Sequence, residues 1–207
     1  MNIANAALET AAALPPRRHR NGKLKKITIA EFLENYSQRE DACKYEYVDG
    51  YVIKSTYTMS DPQQHIANNL TRFFYRLEAQ GKLQGNLAAA KDTWLTEVNW
   101  RKPDLSYMSP LHSYESAHGG RPKPEFVIEL VSPNDTAEYY DTKLDEYYAA
   151  GVKIVWFIYP KSEKVVVYKA DRSSVTCLGD TVCSAAPVLP AFALPAKDIF
   201  IKPDKPQ

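Results

Sequence analysis

A chain of 207 residues is long enough for one well-buried core and short for two comfortable domains. Its 44% hydrophobic and 25% charged residues are those of a soluble globular protein, and no stretch approaches the roughly 18 apolar residues of a membrane span. With 26 basic and 25 acidic residues the net charge is +1, far below that of a protein that coats nucleic acid.

Three cysteines, Cys43, Cys177 and Cys183, are an odd number without CxxC spacing, which argues against a disulfide framework and a cysteine-based zinc site. The alanine-rich start lacks a basic segment before its apolar run and carries Glu9, unlike a secretory signal. A reduced, cytoplasmic setting without membrane contact is the expectation. Residues 1–22 read as a flexible basic tail and residues 23–207 as one domain. Arg17, Arg18, Arg20, Lys23, Lys25 and Lys26 offer either a loose phosphate-binding arm or a solvated segment.

Thr28-Ile-Ala-Glu31 matches a capping box, so a short helix to about Tyr36 is predicted. Tyr45 to Ile53 holds two β-prone runs joined at Asp49-Gly50, a strong hairpin signal. From Asp61-Pro62 a helix reaches about Gln80, with Asp61 as cap and Ile66, Leu70, Phe73, Phe74 and Leu77 as its apolar stripe. Residues 87–99 and 104–108 read as strands interrupted at Arg101-Lys102-Pro103, and 109–124 as a loop.

Phe126-Val-Ile-Glu-Leu-Val131 is a nearly unbroken apolar run, as in a central strand covered on both faces. Asp135 or Thr136 opens a helix that reaches Ala150 and stops at Gly151. Its buried stripe is expected to be Tyr140, Leu144, Tyr147 and Tyr148. Val152–Tyr159 and Val165–Tyr168 read as further strands, and Pro187–Phe200 as packed irregular chain. The order predicts an α/β (α+β) protein, a mixed central sheet with helices on its faces.

Glu129 is the residue that breaks this pattern. An unpaired carboxylate inside a buried strand costs several kcal/mol, so it must be neutralised, paired or bound to a cation. Alternation puts Val127, Glu129 and Val131 on one face and Phe126, Ile128 and Leu130 on the other. A structural ion pair and a functional carboxylate both satisfy this. Asp104 follows Pro103 at the start of a short apolar strand; it is either a turn residue or a second acid. Two acids on neighbouring strands present oxygens to one hard cation such as Mg²⁺. Lys143, beside Tyr140 and Tyr147 on the next helix, either reaches the sheet end or pairs with Glu146 at the surface. Glu46 is a third acid or the polar face of a half-exposed strand, and His65 is a surface or capping residue or a ligand.

Tyr45-Glu46-Tyr-Val-Asp49-Gly50, His65, Lys102-Pro103-Asp104-Leu105, Glu125-Phe-Val-Ile-Glu129-Leu-Val-Ser132-Pro133, Asp141-x-Lys143-Leu-x-x-Tyr147 and Gly151-Val-x-x-Val-Trp156 together resemble the Uma-two family. That family is of restriction-endonuclease type, within the PD-(D/E)XK nuclease superfamily, and the resemblance covers roughly residues 24–201. It implies a restriction-endonuclease-like fold and a metal-dependent endonuclease acting on DNA. Asp104 and Glu129 match the two metal-binding acids, and Glu46 matches the acid of the first core element. The superfamily's usual lysine would stand two residues after the second acid, where this chain has Val131. Lys143 fits the place of a substitute that orients the attacking water or stabilises the transition state. The resemblance also implies Mg²⁺, or Mn²⁺, as cofactor, with the carbonyl of Leu130 as a further ligand. A two-fold homodimer would suit cutting of both strands. A non-catalytic DNA- or protein-binding module with a vestigial metal site is the alternative, favoured by Val131 and the near-neutral charge. Another phosphate-containing substrate is a third.

Overall fold

The apolar run that carries Glu129 lies inside the larger sheet of a computed structural model that describes residues 25–41, 43–56, 59–132, 135–203 and 205. The tail expected over residues 1–22 lies outside the described residues. In chain order the elements begin with α1 (Ile29–Phe32), which continues as a π-helical turn over Leu33–Ser37. β1 (Cys43–Val48) and β2 (Tyr51–Thr56) follow, then α2 (Asp61–Ala79), β3 (Asn86–Ala89), β4 (Thr93–Trp94), β5 (Asn99–Arg101) and β6 (Leu105–Met108). After them come α3 (Pro110–Ala117), β7 (Phe126–Leu130), α4 (Ala137–Ala150), β8 (Ile154–Tyr159) and β9 (Lys164–Lys169). β10 (Ser174–Cys177), β11 (Val182–Ala185), β12 (Leu189–Pro195) and α5 (Ala196–Ile199) close the order.

A six-stranded mixed sheet runs β10-β9-β8-β7-β6-β3, with β7 and β8 parallel and the other neighbours antiparallel. Helix α4 connects the parallel pair. No residue of β7 is more than 3% exposed, because both sheet faces are covered. Phe126, Ile128 and Leu130 pack with Ile66, Leu70, Phe74 and Leu77 of α2 and with Leu189, Phe192 and Leu194 of β12. Val127 faces the other way, toward Tyr140 and Tyr147 of α4. The alternation read from the sequence therefore separates the two cores as expected.

The hairpin does not join this sheet. It forms a second, four-stranded antiparallel sheet, β2-β1-β5-β4, whose core is Phe32, Tyr45, Tyr47 and Trp100. Its turn residues Asp49 and Gly50 both have positive φ, 46° and 88°, as a two-residue hairpin turn with the strands' twist requires. Strand 87–99 is broken into three pieces, and Arg101 belongs to β5 rather than to an interruption. Residues 109–124 contain a helix, α3, capped by Ser109 and started by Pro110. The Pro187–Phe200 segment holds β12 and α5, and β12 pairs with β11. The cap of α2 is Ser60, one residue before Asp61. Cys43, Cys177 and Cys183 are free thiols. Among the described residues, no helix is long and apolar enough to cross a membrane.

Candidate functional site

The two sheets and helix α4 bring Asp104, Lys44, Glu46, Lys143 and Glu129 into one cluster. Glu129 points from β7 toward α4, where Lys143 Nζ lies 2.7 Å from its Oε1 and the Tyr147 hydroxyl donates to the same oxygen. Lys143 is not at the border of the α4 stripe but inside it, with Tyr140, Tyr147 and Ala150 as the buried set; Leu144 and Tyr148 are only half-buried. Its side chain is 3% exposed, and it is not paired with Glu146. Glu146 instead receives Arg101 Nε at 2.7 Å and its NH2 at 2.8 Å.

Asp104 stands just before β6. The pairing of Leu105 with Ile128 and Ser106 with Val127, extended by one pair, sets Asp104 opposite Glu129 on the same sheet face. Such cross-strand neighbours have Cβ atoms about 4.5–5.5 Å apart. Asp104 Oδ2 accepts the Leu130 N–H at 2.7 Å, which fixes the carboxylate at the strand end.

From the smaller sheet, Lys44 and Glu46 share one face of β1, two residues apart. Lys44 Nζ lies 3.5 Å from Asp104 Oδ1 and 3.9 Å from Glu46 Oε1, and Lys143 Nζ lies 4.0 Å from Glu46 Oε1. Charges therefore alternate along Asp104, Lys44, Glu46, Lys143 and Glu129. Glu46 is the hub, and it is buried, not the half-exposed polar face the sequence allowed. Its Oε2 accepts from Arg101 NH1 at 3.1 Å and the Tyr139 hydroxyl at 3.3 Å, and its Oε1 accepts the Lys102 N–H at 2.9 Å.

These neighbours set the titration of each group. Burial alone would push the Glu46 carboxyl up, but Lys143, Lys44, Arg101 and the Lys102 N–H together outweigh it and hold the group well below the usual carboxylate range. Glu129 goes the other way. Burial pushes its carboxyl up, Lys143 opposes, and the charge of Asp104 across the strand pair adds to the rise. Lys143 faces two carboxylates, so although burial works against its ammonium, Glu129 and Glu46 raise its pKa. Burial and the charge of Glu129 push the Tyr147 phenol far up, which keeps its proton available as a donor.

The donor set accommodates a hard cation in a restricted way. Glu129 Oε1 is taken by Lys143 and Tyr147, while its Oε2 accepts no hydrogen bond from any described residue. Asp104 Oδ2 is taken by Leu130, and Oδ1 has only the longer contact to Lys44. Each acid thus retains an oxygen. The Leu130 carbonyl accepts the Gln63 amide N–H at 2.9 Å and keeps one lone pair. Both oxygens of Glu46 are occupied, and among the described residues no three His, Cys, Asp or Glu side chains assemble as ligands. Two carboxylates completed by water and phosphate oxygens fit Mg²⁺; a closed protein cage does not form here.

Asp104, Glu129, Lys143 and Glu46, named from sequence, are brought together with Leu130. His65 is exposed on α2. Lys44, Arg101, Tyr139 and Gln63 were not singled out. Period-two alternation on β1 places Lys44 on the face of Glu46, and helical spacing puts Tyr139 one turn before Lys143, its ring centroid 5.3 Å from the Lys143 Nζ; Arg101 and Gln63 meet the cluster only through long-range folding.

The model of the Uma2 family, described as "Putative restriction endonuclease", matches residues 29–197. No curated protein matches the sequence. Among solved structures, a "putative nuclease belonging to DUF820" from Anabaena variabilis ATCC 29413 superposes with a TM-score of 0.68 at 18% identity, covering 84% of this chain and 97% of its own. At that identity the superposition speaks to the fold, a mixed α/β architecture shared across nearly the whole of both chains. With a family model that spans most of its length, the chain belongs to the Uma2 family.

Proposed function

We propose that the chain is a metal-dependent endonuclease that hydrolyses DNA phosphodiester bonds, with Asp104 and Glu129 as its metal-holding acids. The observation that carries this is the pairing of two carboxylates across β6 and β7, each with an oxygen left over, at the rim of a cluster whose other charges are compensated. Mg²⁺ or Mn²⁺ bound there would lower the pKa of a water molecule and offset charge on the scissile phosphate.

The chain's own groups divide the remaining work. Lys143 and Tyr147 hold Glu129 in one rotamer, and the Leu130 N–H holds Asp104. Gln63 ties the first turn of α2 to the Leu130 carbonyl, so the strand end is braced from the opposite face. Of the two ammoniums, Lys44 lies beside the more open acid: its side chain is 13% exposed and that of Asp104 21%. Lys44 therefore meets an entering phosphate from outside, while Lys143 orients Glu129 from behind. DNA is the substrate, and two copies of the chain act on a duplex.

Incubating supercoiled plasmid and single-stranded DNA with the protein and Mg²⁺ or Mn²⁺ tests the proposal. Metal-dependent cutting is expected, lost in Asp104→Asn and strongly reduced in Lys143→Ala. Equal cutting by Asp104→Asn, or none by the wild type, would sink it. A second reading is a non-catalytic binding module, favoured by Val131 in the place of the superfamily lysine. It predicts binding without cutting, with affinity for DNA that falls steeply with salt.

A further inference from the structure

On the smaller sheet, outside the acidic cluster, three side chains are stacked. Trp94 of β4 lies against Trp100 of β5, ring centroids 5.8 Å apart and planes 16° from parallel. The guanidinium of Arg121 also lies over the Trp94 ring, 4.3 Å from its centroid. Leu33, Trp94 and Arg121 line both of two hollows, of about 250 and 390 Å³. The smaller lies below the roughly 300 Å³ at which drug-sized pockets begin and suits a single planar ring system.

The surroundings are cationic. Lys91 lines the first hollow with Arg121, Lys123 lines the second, and Lys102 Nζ lies 5.6 Å from the Trp100 centroid. Against these four cations stand Asp92, already paired with Lys102 at 2.9 Å, and Glu97. The rim is positive on a chain whose whole net charge is +1. Trp100, which forms a wall of the first hollow, is 3% exposed, and its indole N–H has no hydrogen-bond partner among the described residues.

The stack adjoins the acids along the chain. Trp100 is followed by Arg101 and Lys102, both bound to Glu46. The Ala90 N–H donates to the Asp104 carbonyl at 3.1 Å, and the next two residues, Lys91 and Asp92, line the first hollow. The geometry points to a docking site for unpaired nucleotides of a DNA strand, with a base stacked on the exposed guanidinium of Arg121, which Trp94 backs, and phosphates drawn to Lys91 and Lys123. Every base offers a ring face, and a guanidinium over an indole extends the stacking platform while supplying charge. This inference rests on the reading of the acidic cluster as a DNA site.

The test uses the full chain and a short oligothymidylate. The three tryptophans are Trp94, Trp100 and Trp156, and Trp156 lies in the core of the larger sheet, so quenching of emission reports on the stack. Oligothymidylate is expected to quench the wild type. Trp94→Ala should weaken binding about five-fold or more, and Trp94→Phe, which keeps a ring, should restore most of the loss. Arg121→Ala should lower the slope of log affinity against log salt by roughly 0.7. Binding by a folded Trp94→Ala protein as tight as the wild type's, or an absence of quenching in the wild type, would overturn the inference. Should Trp94→Ala fail to fold, an unchanged salt slope in Arg121→Ala overturns it. Plasmid cleavage is scored separately. Cutting together with Trp94-independent binding removes only this site, whereas Trp94-dependent binding without cutting leaves the site and removes the nuclease reading.

Discussion

Arg101 is 1% exposed, and its guanidinium is shared between Glu46 and Glu146, so three charges have been taken out of water together. Such a group contributes little beyond an apolar replacement of the same shape, but removing one member leaves a buried charge without a partner. Arg101→Leu is expected to lower stability by about 3–5 kcal/mol, read from urea unfolding midpoints. Glu46→Gln should show the same network through pH. The folded-state pKa of Glu46 is depressed, so its contribution is present above the unfolded value of 4.5 and is lost as pH falls below it toward the folded value. In chelated protein the stability gap between wild type and Glu46→Gln should be largest near neutral pH and shrink steadily below pH 4.5. A gap that does not change with pH would mean that Glu46 is not held ionised by its neighbours. At this scale the sequence was informative about the acids, because Glu129 breaks an apolar run and Asp104 opens a strand. It said nothing of Arg101, whose partners lie 55 and 45 residues away and follow from no local pattern.

Helix α4 carries Tyr139, Lys143, Glu146 and Tyr147, so the site depends on where that helix starts and stops. Thr136 accepts the Tyr139 N–H at its start, and Gly151 ends it with φ of 91°. Only glycine adopts that conformation without cost; nothing lies within 4 Å of where a Cβ would sit, so a substitution is penalised by the backbone alone. Gly151→Ala should therefore cost about 1–2 kcal/mol, with the urea m-value and the plasmid-cutting pattern unchanged. A loss of cutting at full stability would show that the helix end positions Lys143 more directly than its packing suggests. The start and stop signals of α4 were plain in the sequence, as were the Asp49-Gly50 hairpin and β7. The misses share a cause. Ser109-Pro110 is a good helix start, but Gly119-Gly120 and the histidines of that segment make it read as loop. In β12 the prolines Pro190 and Pro195 argue against a strand; they are tolerated because β11–β12 is a two-stranded ribbon in which each strand is an edge.

The whole molecule joins a large mixed sheet to a small antiparallel one, with the charged cluster where β1 and β5 of the second meet β6, β7 and α4 of the first. Apolar runs were enough to predict β7, β8 and β9 of the large sheet, whereas the exposed edge strand β10 was not anticipated. They could not show that the hairpin belongs to a separate sheet, because strand partners are set by packing rather than by the strand's own residues. That division places Lys44 and Glu46 across from Asp104 and Glu129 instead of beside them. Asp104 and Glu129 make one pair of facing acids among the described residues, and a duplex has two antiparallel strands. If the acids cut DNA as proposed, one copy makes one cut at a time, whereas two copies related by a two-fold axis would present one cluster to each strand. On supercoiled plasmid the open circle should form first, and the linear form should rise with a steeper than first-power dependence on protein concentration. Light scattering of the Asp104→Asn protein on a short duplex should give two chains per DNA. Linear product formed in simple proportion to protein, with one chain per duplex, would instead mean that each copy cuts the two strands in turn.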